Sequence, residues 1–173
     1  MNGITKNVYS KTLRSPIFSF TQPMPTSTEI TFGNRDDRKA VEIGDTFSPK
    51  FDENGLIVAI AQDADTNEVL MVAYMNETSL KQTIEIGEAV YFSRSRQQLW
   101  HKGSTSGHTQ TVEAILTDCD QDALVLKVRQ KGPGCCHAGY RSCFYRNIQG
   151  AGDPVALGQE IEEQSYNPDE VYK

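Results

Sequence analysis

Polar and apolar positions divide the chain into three stretches. Up to about Ser48, apolar residues are scattered among Ser, Thr, Asn and Pro, including Pro23-Met24-Pro25-Thr26-Ser27-Thr28. This composition predicts an extension over 1–48 with little structure of its own, apart from a short helix around 36–43. From Pro49 the pattern tightens. Residues 56–62 and 68–74 are apolar, β-branched runs flanking the polar turn Asp63-Ala64-Asp65-Thr66-Asn67, which predicts a hairpin. Asn76 then caps a helix in which Leu80 and Ile84 share a face, and Gly87 stops it. Strand-like runs follow at 89–93, 109–117, 123–130 and 143–148. The expected fold is a strand-dominated α+β domain over 49–149 with one or two helices. Residues 150–173 read as an acidic tail: Gly150, Gly152 and Pro154 lead into a segment from Gln159 with five acids and one Lys. No internal repeat is present.

Composition narrows the class. Of 173 residues, 38% are hydrophobic and 23% charged, as in a folded soluble chain. The longest apolar run, 56–61, is far short of the roughly 20 residues that span a membrane. No partnership with a membrane is therefore expected. The net charge of −6 speaks against a general nucleic-acid binder. Its distribution says more, because the tail from Gln159 carries −4 and leaves −2 for the other 158 residues. The N-terminal residues lack the apolar core of a secretory signal and are poor in Arg, so a cytoplasmic protein with reduced thiols is expected.

Three constellations carry chemistry. In Asp118-Cys119-Asp120-Gln121-Asp122, three crowded carboxylates repel one another unless a hard cation such as Mg²⁺ relieves them. The bland alternative, an acidic surface turn, has no need of the thiol in its middle. All four cysteines, Cys119, Cys135, Cys136 and Cys143, fall within 25 residues, and His137 follows Cys136 directly. Thiolates beside an imidazole suit Zn²⁺, although the spacing is not that of a zinc finger. Three thiolates with one open position would make a catalytic zinc, which acidifies a bound water to a pKa of about 7. The third constellation, residues 91–108, contains Arg94, Ser95, Arg96, Trp100 and Lys102 with no acid at all. Its Lys102-Gly103-Ser104-Thr105-Ser106-Gly107 loop offers a cation, hydroxyls and backbone N–H groups to a phosphate. Trp100, the only Trp, can serve as core or as a surface on which a base stacks.

Taken in order, these segments resemble the phosphoribosyl-AMP cyclohydrolases of histidine biosynthesis. The match rests on the Tyr–Ser–Arg–Ser run at 91–96, Leu99-Trp100-His101-Lys102-Gly103, Thr105-Ser106-Gly107-His108, Asp118-Cys119-Asp120-Gln121-Asp122, Cys136-His137 and Ser142-Cys143-Phe144. It extends from about Phe51 to Asn147. The resemblance implies hydrolytic opening of the adenine ring of 1-(5-phosphoribosyl)-AMP, with water adding at C6 and the N1–C6 bond breaking. It also implies zinc on Cys119, Cys136 and Cys143, the first from a neighbouring subunit, and magnesium on Asp118, Asp120 and Asp122. An intertwined homodimer with shared zinc sites follows. His137 is the expected proton shuttle or further zinc ligand, His108 the second choice as shuttle, and Lys102 a further catalytic candidate. Substrate contacts are expected from Arg94, Ser95, Arg96, Trp100, Gly103, Thr105, Ser106 and Gly107.

Cys135, Ala138 and Tyr140 depart from the family pattern, and the spacing of seven to Cys143 selects Cys136 over Cys135 as ligand. Only 26 residues follow Asn147, too few for the fused pyrophosphohydrolase domain of many relatives, so the monofunctional form is expected. Other readings fit less well. A zinc base deaminase needs H-x-E and P-C-x-x-C, and both are missing. A thiol redox protein needs Cys-x-x-Cys, also missing. A nucleotide-binding module with a structural zinc needs a fourth protein ligand to close the site.

Overall fold

In the computed structural model, which describes residues 29–152 and 154–172, the alternating runs pair as the pattern predicts. Strand β1 (Ile57–Asp63) places every second residue in the core, and β2 (Val69–Met75) returns antiparallel to it, from Ile57 opposite Met75 to Gln62 opposite Val69. Asp63 holds the connecting turn, its carboxylate accepting from the N–H groups of Asp65 and Thr66. Asn76 caps the helix that follows, in a reciprocal capping box with Ser79. That helix buries Leu80 and Thr83 and ends at Gly87 in the left-handed conformation. Counting a shorter one, α1 (Arg38–Ile43), it is α2 (Glu77–Ile86). A hairpin of β3 (Val90–Ser93) and β4 (Gln98–His101) comes next, then β5 (Gln110–Thr117) and β6 (Ala123–Gln130), also antiparallel.

These six strands form one sheet in the order β4-β3-β2-β1-β6-β5. Its central pairing, β1 with β6, is parallel and runs from Val58 opposite Ala123 to Asp63 opposite Val128. The sheet curls on itself because the residues leading into β3 also bond to β5. Glu88 bridges Thr111, Ala89 N–H donates to the Gln110 carbonyl (2.9 Å), and Val112 N–H donates to the Gly87 carbonyl (2.8 Å). Inside the curl lie Ile57, Leu70, Met75, Leu80, Val112, Leu124 and Leu126, all essentially without solvent contact. Tyr91 joins them, and its buried hydroxyl donates to Gln110 Oε1 at 2.8 Å. Gln110 Nε2 in turn donates to Gln130 Oε1 at 2.9 Å, so one polar chain ties β3, β5 and β6 together.

Three stretches differ from the sequence pattern, the first being β4 (Gln98–His101), a strand where none was expected. Instead of a strand over 143–148, the structure has β7 (Arg146–Gln149), paired with β8 (Ala156–Gln159) in a separate two-stranded sheet. Ser142 and Cys143 stay out of it because the Ser142 hydroxyl and the Cys143 N–H donate to the Val69 and Leu70 carbonyls, laying this loop across the start of β2. The tail also contains α3 (Pro168–Val171), capped by Asn167. Residues 1–28, including the Pro23–Thr28 run, lie outside the described residues. Within 29–50 the backbone wraps the β5–β6 turn. Arg35 donates to the carbonyls of Ser48 and Asp120, and the buried Gln121 side chain is held by Ser48 N–H (2.6 Å) and the Val41 carbonyl (2.8 Å). No helix among the described residues is long and apolar enough to cross a membrane.

Tyr91→Phe removes the donor to Gln110 Oε1 and leaves that buried oxygen unsatisfied. An unmade buried hydrogen bond costs roughly 1–3 kcal/mol. Urea unfolding should show a loss in that range with an unchanged m-value.

Candidate functional site

The β3–β4 hairpin forms one edge of the sheet, and the loop carrying Ser142 and Cys143 lies across the start of β2. Between them opens a cleft of about 710 Å³. One side is cationic and aromatic. The Arg94 guanidinium lies 4.0 Å from the centre of the Tyr74 ring, and Arg96 and Lys102 approach Trp100 at 5.8 and 6.0 Å. Trp100 itself leans on the buried Tyr91, with ring centres 5.6 Å apart. Lys102 is almost fully buried yet lines the cleft, so its charge is spent inside rather than on solvent. Gly103, Thr105 and Ser106 line it too, while Ser95 and Gly107 do not. Gly103 sits at φ +84°, where a Cβ would overlap the His108 backbone, so the loop can close only with glycine there.

The other side carries the thiols. Cys135, His137 and Cys143 line the cleft, and Cys136 is buried just behind. The Cys143 thiol lies beside Cys135 and Cys136, and the Cys135 thiol donates to the Leu70 carbonyl at 3.2 Å. The neighbouring Cys135 pushes the Cys143 thiol up, whereas Cys135 itself is lowered by Cys143 and by Lys102. Burial raises Cys136. Cys143 thus has both Cys135 and Cys136 as neighbours.

The acidic turn lies elsewhere. Asp118, Asp120 and Asp122 bring their oxygens within 4.8 Å of one another, the only such group of three or more metal-binding side chains among the described residues. Asp118 is positioned by accepting from Asp122 N–H (3.0 Å) and Ala123 N–H (3.1 Å). Lys50 already supplies a cation, at 3.3 Å from Asp120 and 3.0 Å from Asp122. It holds Asp120 below the usual carboxylate range, and its own pKa is raised in return, chiefly by Asp122. A cluster that draws an ammonium ion fits a hard metal cation equally well.

Strand register separates Cys119 from the other thiols. The β5–β6 turn joins the sheet at Ala123, opposite Val58, whereas Cys143 N–H bonds the Leu70 carbonyl, which lies at the Asp63 end of the β1–β2 pair. Three or four residues of strand, roughly 10–13 Å, lie between those levels. Within one chain, Cys119 therefore does not join Cys136 and Cys143.

His108 is buried and not among the residues lining the cleft. Its ring meets Tyr166 edge-on at 4.9 Å, and its Nδ1 has no hydrogen-bond partner. Of the residues that sequence reasoning missed, Tyr74 and Tyr172 line the cleft, and Lys50 and Arg35 brace the acidic turn. The acidic tail gave no sign of Tyr172's position. Lys50 and Arg35 lie some 70 to 85 residues from their partners and formed no local motif.

Burial, then the nearby Lys102, lower the His108 pKa. The unfolded chain binds a proton at His108 more readily than the folded one, so stability falls as pH drops through about 6.5 and keeps falling towards the depressed folded value. His108→Gln should flatten this part of a stability-versus-pH curve measured by urea unfolding.

Residues 71–145 match the family model described as phosphoribosyl-AMP cyclohydrolase. A protein of that name from Desulforapulum autotrophicum is 56% identical over 119 residues, which cover 69% of this chain and 92% of the relative. Another from Methanococcoides burtonii is 56% identical over 123 residues, 71% of this chain and 94% of its own. A third, from Rhodopseudomonas palustris, is 51% identical over 134 residues, covering 76% and 88%. With a cation-lined cleft ending in a thiol-histidine cluster, and identity at this level over nearly the whole of each relative, the chain belongs to the phosphoribosyl-AMP cyclohydrolase family.

Proposed function

We propose that the protein hydrolyses 1-(5-phosphoribosyl)-AMP, opening its adenine ring between N1 and C6 in histidine biosynthesis. The observation that carries this reading is a cleft lined by Arg94, Arg96 and Lys102 on one side and by Cys135, His137 and Cys143 on the other. Arg94, Arg96 and Lys102 hold the two phosphates, assisted by the backbone and hydroxyls of the 103–106 loop. Trp100 offers a face to the base. Ribosylation at N1 makes the purine cationic, so C6 is already electrophilic.

The donor chemistry fits the metals that the family implies. Zinc would be held by Cys136 and Cys143 of one chain and Cys119 of a second, in a homodimer. The separation of Cys119 from its partners within one chain supports that arrangement. Magnesium would be held by Asp118, Asp120 and Asp122, displacing Lys50. When bound, zinc supplies Lewis acidity that makes water a nucleophile near neutral pH. His137, facing the cleft beside the thiols, takes the proton from the attacking water and returns it to N1 as the C6–N1 bond breaks. Water's oxygen becomes the carboxamide oxygen, and N1 leaves as the formimino nitrogen.

Purified protein supplied with zinc and magnesium should convert phosphoribosyl-AMP to the ring-opened product, followed by its absorbance change. Cys136→Ser should lower turnover by more than about 100-fold, since even the loss of a group that merely supports a metal ligand costs 10–100-fold. Cys135→Ser should stay within a few-fold of the unaltered enzyme. Equal losses in the two variants would move the ligand to the wrong neighbour, and failure of the unaltered protein to turn over would sink the reading.

A further inference from the structure

The tail beyond the matched residues 71–145 folds back onto the site. Ser165 N–H and Tyr166 N–H both donate to the Gly139 carbonyl (2.7 and 3.2 Å), and Gln164 Nε2 donates to the Ala138 carbonyl at 2.8 Å. The Tyr166 hydroxyl donates to the Cys136 carbonyl, and its ring packs edge-on against His108. The tail is therefore bonded to the two residues that follow His137 and to the thiol residue that precedes it. Gly139 shows that this docking is built into the loop. It sits at φ +88°, and a Cβ there would meet the Tyr166 carbonyl oxygen at 2.5 Å and Pro168 Cδ at 3.1 Å.

Beyond this anchor, Asn167 caps α3, its side chain accepting from Asp169 N–H at 3.1 Å. Pro168 is pre-set for the first helical position, and Tyr172 N–H closes the turn on the Pro168 carbonyl at 2.9 Å. The single turn delivers Tyr172 to the wall of the cleft that also holds His137, Cys143 and Trp100. Because α3 follows directly from the Tyr166 anchor on the Cys136 carbonyl, Tyr172 sits towards the thiol-histidine end of the cleft. That end is where the purine must lie if C6 is to react. An exposed Tyr delivered by a capped turn to the cleft wall presents its ring to whatever fills the cleft.

We infer that residues 164–172 form a strap of the active site, and that Tyr172 is a substrate-contact residue packing its ring against the purine base. This inference rests on the proposed activity and deepens it. Face contact between a base and an aromatic ring is insensitive to the phenol and lost on truncation. The strap acts on binding more than on the chemical step, so its signature lies in KM.

The test compares Tyr172→Ala and Tyr172→Phe in the full-length chain, with thermal melts as a check on folding. Steady-state turnover of phosphoribosyl-AMP is read alongside AMP binding, followed by quenching of the fluorescence of Trp100, the sole Trp. Tyr172→Ala should raise KM and the AMP dissociation constant about tenfold, equal to about 1.4 kcal/mol, with kcat within about threefold. Tyr172→Phe should match the unaltered enzyme in both. If Tyr172→Ala leaves KM and AMP affinity unchanged, or if Phe fails as badly as Ala, the ring contact is overturned while the activity stands. If the unaltered protein does not turn over phosphoribosyl-AMP, the functional reading itself falls, and the strap's role with it.

Discussion

The parallel pairing of β1 with β6 sets the geometry of everything that could do chemistry. Because β2 runs antiparallel to β1 and β6 runs parallel to it, the turn entering β6 and the turn entering β2 lie at opposite ends of the sheet. The first turn carries Asp118 to Asp122 with Cys119 among them; the carbonyls at the second anchor the loop of Cys143. Strand rise is fixed by the backbone, so no side-chain rotation closes a gap of roughly 10–13 Å. A zinc site drawing on Cys119, Cys136 and Cys143 is therefore completed by a second chain or not at all. Under the proposed zinc chemistry, that constraint would make dimerisation a condition of catalysis.

Stability and site are linked through the curl of the sheet. Ala89 and Glu88 reach β5, while the β3–β4 register sets Tyr91 opposite Trp100, so the floor of the cleft is also part of the core. The polar chain from Tyr91 through Gln110 to Gln130 fixes how tightly the curl closes. Lys102 can lie buried beside it because its backbone N–H is bonded to the Ala89 carbonyl at 3.0 Å and its ammonium faces the cleft. Packing thus places a cation in a low-dielectric wall, where its pull on an anionic ligand is stronger than at an open surface. The acidic turn is braced differently, by Arg35, Ser48 and Lys50, residues that precede the sheet altogether.

Much of this was legible in local pattern. Alternation gave the β1–β2 hairpin and the β5–β6 pair to within one residue, and the Asn76 cap and Gly87 stop marked α2, because each signal depends on near neighbours. Arg94, Arg96, Trp100 and Lys102 were legible for the same reason: a short hairpin and its loop keep sequence neighbours together. What stayed hidden depends on long-range closure. Nothing near Tyr172 in sequence records that Gly139 lacks a side chain to make room for the tail. The stretch from Ser142 has the composition of a strand, yet its hydrogen bonds go to Val69 and Leu70, a choice made by tertiary contact. Cys135 is a further case, since sequence spacing favours Cys136 whereas the fold sets both against Cys143.

The central claim, that a complete site needs two chains, is tested most directly by subunit complementation. Cys119→Ser and Cys143→Ser proteins, each inactive alone, are dissociated, mixed in equal amounts and reassociated before assay with phosphoribosyl-AMP. In a dimer with shared sites, half of the random pairs are hybrids, and each hybrid regains one intact site of two. Activity should then return to about a quarter of that of the unaltered enzyme. A mixture no more active than either variant by itself, with subunit exchange confirmed by mass spectrometry, would mean that each site is built within one chain and would contradict the account.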